Sequence, residues 1–82
     1  MPIRWTNAAL VAAAEMTGPE REALFQRLDL VAEFPEMNPG RQRGLYVGAR
    51  YFPVRKRWIV FYRPRSEDVL ILNILPARAR SV

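Results

Sequence analysis

Residues Arg57 to Leu75 read RWIVFYRPRSEDVLILNIL. The stretch holds two apolar runs, Trp58–Tyr62 and Val69–Leu75, separated by the polar segment Arg63-Pro64-Arg65-Ser66-Glu67-Asp68. Runs of this length, rich in Ile, Val and aromatics and bounded by Pro and charge, read as two strands of a hairpin. Strict alternation sets Trp58, Val60 and Tyr62 on one face of the first run, with Ile59 and Phe61 on the other. In the second run Val69, Ile71 and Leu75 oppose Leu70, Leu72 and Ile74. A strand buried on one face only would alternate apolar with polar residues. These two are therefore expected to be central strands, covered on both sides.

Upstream of the hairpin, Leu45–Phe52 extends as a further strand, in which Gly48 suggests a bulge or a close backbone approach. Arg55-Lys56-Arg57 is the tip that connects it to the hairpin. Asn38-Pro39-Gly40-Arg41 has Pro and Gly at the two central positions that a type II turn prefers. Before it, Leu24, Phe25, Leu28, Val31 and Ala32 form an i, i+3/i+4 stripe, the mark of a helix packed on a sheet. Gly18-Pro19 separates this helix from an alanine-rich one over Ala8–Met16, for which Thr6 and Asn7 offer N-cap side chains. Glu20 and Glu22 lie in the first turn of the second helix, where acids favour the helix dipole. Pro2–Trp5 is a short first strand. The order is β-α-α-β-β-β, an α+β fold with a helical hairpin on one face of a mostly antiparallel four-stranded sheet. An up-and-back helix pair would leave the second strand antiparallel to the first.

Eighty-two residues suit one domain, spanning 1–82, close to the lower size at which a core is self-sufficient. No run of about 18 apolar residues offers a membrane span, and the N-terminus lacks the pattern of a signal peptide. The expected location is the cytoplasm, with no membrane partner. The sequence contains no cysteine and no histidine, which excludes disulfides, thiol chemistry, the usual zinc site and the commonest general base near neutral pH. No metal site and no cofactor are expected. The net charge is +5, and the bases concentrate from Asn38 onward, ten against two acids. A basic sheet half suggests an anionic partner, nucleic acid or an acidic protein. One helical hairpin covers one face of a sheet. Apolar residues on both faces therefore call for a partner over the other, added as a helix or a strand.

Four segments together resemble the RelE/ParE superfamily of bacterial toxin–antitoxin toxins. They are the Leu30-Val31-Ala32-Glu33-Phe34-Pro35 helix end, the Pro-Gly turn before a basic strand, the Phe61-Tyr62-Arg63 strand and the Ile74-Leu75-Pro76-Ala77-Arg78 ending. The last two are similar to the ParE branch. The resemblance implies a growth-arresting toxin that binds DNA gyrase and is neutralised in a hetero-oligomer by a cognate antitoxin, acidic and partly disordered. The alternative is a RelE-like endonuclease that cuts messenger RNA on the ribosome. That branch carries an Arg on the third strand, where Ile59 stands here, and often a Tyr beyond the last strand, where this sequence has none. Arg serves charge stabilisation well and proton transfer poorly. The resemblance therefore implies a binding inhibitor without catalytic residues. Arg78 and Arg80 match the family's functional C-terminal end and lead the target-binding candidates, with Arg55, Lys56 and Arg57 of the hairpin tip beside them. Trp58, Val60, Tyr62, Val69 and Ile71 are expected to meet the antitoxin.

Overall fold

A computed structural model describes residues 1–77. The elements are β1 (Ile3–Trp5), α1 (Asn7–Ala14), α2 (Gly18–Glu33), β2 (Arg50–Val54), β3 (Trp58–Pro64) and β4 (Val69–Pro76), in the expected order. They form one four-stranded sheet in the order β1-β4-β3-β2. β2, β3 and β4 are antiparallel neighbours, and β1 joins β4 in parallel. The sheet is thus mixed and mostly antiparallel, with both helices packed on one face.

The sense of β2 corrects the expectation: it runs parallel to β1, on the opposite edge. The cause is the shortness of β1. Its chain leaves the sheet at Thr6, which is clamped to the middle of β4. The Thr6 N–H donates to Ile71 O at 3.1 Å, and its hydroxyl donates to Leu72 O at 2.7 Å. The same hydroxyl oxygen accepts from Ala9 N and caps α1. α1 then continues along β4 instead of turning back. At its far end Arg21 Nη1 reaches Met16 O at 2.6 Å and ties it to the first turn of α2. β1 and α1 make one pass, α2 the return, and β2 a third pass in the direction of the first.

α2 starts on a full capping box: Thr17 Oγ1 accepts from Glu20 N, and Glu20 Oε1 accepts from Thr17 N. Leu24, Leu28 and Val31 of the stripe are buried against the sheet, whereas Phe25 is 51% exposed, its ring set edge to face with Trp5 at 6.2 Å. Opposite the helices the core takes Phe52 and Val54 of β2, Trp58, Val60 and Tyr62 of β3, and Val69, Ile71 and Ile74 of β4. Ile74 joins this face because a bulge breaks the alternation of β4. Tyr62 opposes Ile71 while Phe61 opposes Asn73, so Leu72 is the extra residue and every later side chain changes face.

Segment 38–49 differs most from expectation. It does not extend into a strand from Leu45, and Gly40 lacks the positive φ of a type II turn. Instead Gly40 bridges to Arg50, Tyr51 N–H donates to Pro39 O at 3.1 Å, and residues 41–48 loop out. Gly44 (φ 85°) and Gly48 (φ 89°) supply the left-handed corners, and Tyr46 adopts φ 64° between them. The loop lays Tyr46 on Phe61, ring centroids 5.2 Å apart, with its hydroxyl accepting from Asn73 Nδ2 at 3.0 Å. The Arg41 guanidinium lies 5.2 Å from the same ring centroid. The face away from the helices is thus covered over Phe61 by the chain's own loop, not left open for a partner.

A cationic hairpin tip braced against a helix start

β2 and β3 are joined by three residues, Arg55–Arg57, with Arg57 N–H donating to Val54 O at 3.0 Å. Arg55 and Lys56 have φ of 51° and 58°. Two successive positive φ values are the mark of a type I′ turn over Val54–Arg57, where two left-handed residues are needed and Asn-Gly is usual. A side chain with a Cβ costs ~1 kcal/mol there. The chain therefore carries two cations at a place where local sterics favour neither. Both are exposed.

Arg57 is drawn back. Its Nη1 lies 3.1 Å from Glu20 Oε2, and its guanidinium sits 5.5 Å from the Trp58 ring centroid. Glu20 is buried, and its carboxyl lies below the ordinary carboxylate range. The Thr17 backbone N–H is the largest cause, opposed by burial and aided by Trp58 and then by the Arg57 charge. The Trp58 indole N–H contributes from close by while falling short of hydrogen-bond geometry. Ala77 N–H donates to Arg57 O at 2.8 Å, so the end of the last described strand is seated beside the tip. Arg78 and Arg80 lie outside the described residues.

Trp58, Val60, Tyr62, Val69 and Ile71 face the helices and are core residues, which corrects their expected role as an antitoxin surface. Alternation identified them as one face but did not say that the helices would take it. Tyr62 has a polar duty there: its hydroxyl donates to Pro35 O at 2.9 Å and accepts from Asn38 Nδ2 at 3.2 Å, while Arg27 Nη2 donates to Asn38 Oδ1. The exposed apolar side chains of the helices are Leu10, Val11, Phe25 and Leu30. The edge strand β2 offers an incoming strand little, because Tyr51 spends its N–H on Pro39 O and Pro53 has none. Ile59 lies on the face away from the helices, opposite Pro53 and Leu75, and is 4% exposed. Among the described residues no group of three or more acids could hold a metal ion, and no helix is long and apolar enough to cross a membrane. Tyr46 and Glu20 were missed as organising residues. The glycines flanking Tyr46 and the Thr17-x-x-Glu20 spacing were the available signals.

Residues 3–80 match the sequence profile of the family described as the ParE toxin of the type II toxin-antitoxin system, parDE. Toxin ParE3 of Caulobacter vibrioides is 42% identical over 73 residues, which cover 88% of this chain and 65% of that protein. The chain thus spans less than two thirds of that relative's length. Two solved structures share the fold at low identity. A chain of the intact E. coli RelBE toxin–antitoxin complex superposes with a TM-score of 0.76 at 19% identity, covering 90% of this chain and 93% of that one. The chromosomal ParDE system from P. aeruginosa gives 0.69 at 18%, with 93% and 95% covered.

Proposed function

This chain belongs to the ParE toxin family of type II toxin–antitoxin systems, and from that premise we propose that it arrests growth by binding DNA gyrase, without cutting RNA. The observation that carries this reading is Ile59. At the third-strand position where the resemblance to RelE calls for an Arg, this chain has an apolar side chain, 4% exposed between Pro53 and Leu75. No cation stands there to stabilise charge on a cleaving phosphodiester. Target contact falls to Arg55 and Lys56 at the strained tip, with Arg57 braced behind them and Arg78 and Arg80 beyond Ala77. The presence of two cations in left-handed backbone supports a role for the tip.

The partner that restrains it is a cognate antitoxin in a hetero-oligomer. With the sheet's helix-side residues consumed in the core, the antitoxin's apolar contacts fall on the exposed helix residues Leu10, Val11 and Phe25. Primer extension on cellular messages within minutes of induction tests the reading. Intact messages are the expected result, and codon-positioned cuts would replace it with the ribosome-dependent endonuclease.

A further inference from the structure

Two exposed apolar features lie on opposite faces of the sheet, one beside an arginine and the other beside two glutamates. The first is the 41–48 loop. Because Tyr46 turns inward onto Phe61, its neighbours Leu45 and Val47 are 64% and 55% exposed. Arg41 N–H donates to Ala49 O and Gly48 N–H to Arg41 O, so the loop is hydrogen-bonded across its base. Leu45 and Val47 are therefore presented as a preformed knob, with the exposed Arg43 beside them. The second feature lies past the end of α2, where Phe34, Pro35 and Met37 line a shallow pocket of about 460 Å³ with Glu33 and Glu36. Phe34 and Met37 are 54% and 44% exposed. Among the described residues, neither these two glutamates nor Arg43 enter an ion pair.

A copy cannot fill its own pocket. The knob rests on Phe61, while the pocket is tied by Pro35 O to Tyr62, the next residue of β3, whose side chain points to the other face. We infer that copies of this chain associate head to tail, the Leu45–Val47 knob of one seating in the Phe34–Met37 pocket of the next, with Arg43 against Glu33 and Glu36. An apolar knob and a pocket elsewhere on the same molecule make a heterologous contact, which repeats instead of closing as a two-fold dimer. Glu33 and Glu36 against Arg43 set which end meets which, even with the Arg50 guanidinium and the N-terminal ammonium bonded to the Glu36 and Ala32 carbonyls nearby.

Sedimentation velocity on the purified chain over a range of concentrations tests this. The mass is expected to rise past that of a dimer with concentration and to fall as salt screens Arg43 from the glutamates. Leu45→Ser/Val47→Ser and Phe34→Ser/Met37→Ser, checked for folding by circular dichroism, are each expected to be monomeric. Mixed in equal amounts they should form a heterodimer and nothing larger, since each retains the half that the other lacks. Arg43→Glu mixed with Glu33→Lys/Glu36→Lys repeats the test by charge alone, and that mixture should regain assembly past the dimer. A wild-type chain that stays monomeric, a serine variant that associates like the wild type, or a serine mixture that stays monomeric would each overturn the inference.

Discussion

Glu20 divides one carboxylate between two elements: Oε1 accepts the Thr17 N–H at 2.9 Å and Oε2 takes Arg57 Nη1 at 3.1 Å. The helix cap and the hairpin tip are therefore held by the same group, and acid should loosen both. The carboxyl is depressed in the folded state, so its contribution is complete above its unfolded pKa and is lost as pH falls through the lower folded value. Melting temperature followed from neutral pH into acid checks this. Glu20→Gln should melt lower than wild type at neutral pH, and the gap should close as pH falls. A constant gap would show that the charge of Glu20 is immaterial.

The Tyr62 hydroxyl holds Pro35 and Asn38 to the sheet from inside the core. Tyr62→Phe removes it and leaves the buried Asn38 amide and the Pro35 carbonyl without that partner. The cost should be about 1–3 kcal/mol, read by calorimetry as a fall in Tm of roughly 4–8 °C per kcal/mol for a domain of this size. An unchanged Tm would mean that water replaces the hydroxyl.

Strain at the tip separates stability from activity. Arg55→Asn with Lys56→Gly supplies the residues a type I′ turn favours, and should stabilise the fold by ~1 kcal/mol. The same change removes both exposed cations and should weaken growth arrest. Denaturant midpoint and toxicity measured on this one variant decide the point. Full toxicity in the stabilised protein would free the tip of any role.

Arg78→Ala with Arg80→Ala tests the other half of the proposed target surface. Toxicity should fall sharply, since charge-assisted Arg contacts at interfaces are often worth ~2 kcal/mol or more. The melt should move by no more than about 0.5 kcal/mol, as for surface positions generally. A collapsed melt would instead give these arginines a structural role.

Much of the fold could be read from local pattern. Apolar runs placed β3 and β4, the stripe and Pro35 placed α2, and Thr6 capped α1 as its side chain allows. What escaped was set by long-range geometry. Periodicity cannot register a bulge, so Leu72 hid the change of face that buries Ile74. Leu45-Tyr46-Val47 has strand composition, yet Gly44 and Gly48 turn it into a cover for Phe61. β1 is too short to span β4, and the chain runs from Thr6 on into α1 without turning back, which reverses the expected sense of β2. At the candidate site, the cationic tip was legible as a charge cluster. Its left-handed backbone was not, because Arg-Lys is a poor sequence for it.

Inhibition of gyrase by binding is the activity proposed for this chain. Its most direct test is the supercoiling of relaxed plasmid by purified gyrase with the chain added in increasing amounts. Progressive loss of supercoiled product is expected, reversed when the cognate antitoxin is added. Undiminished supercoiling at chain concentrations well above that of gyrase would contradict it.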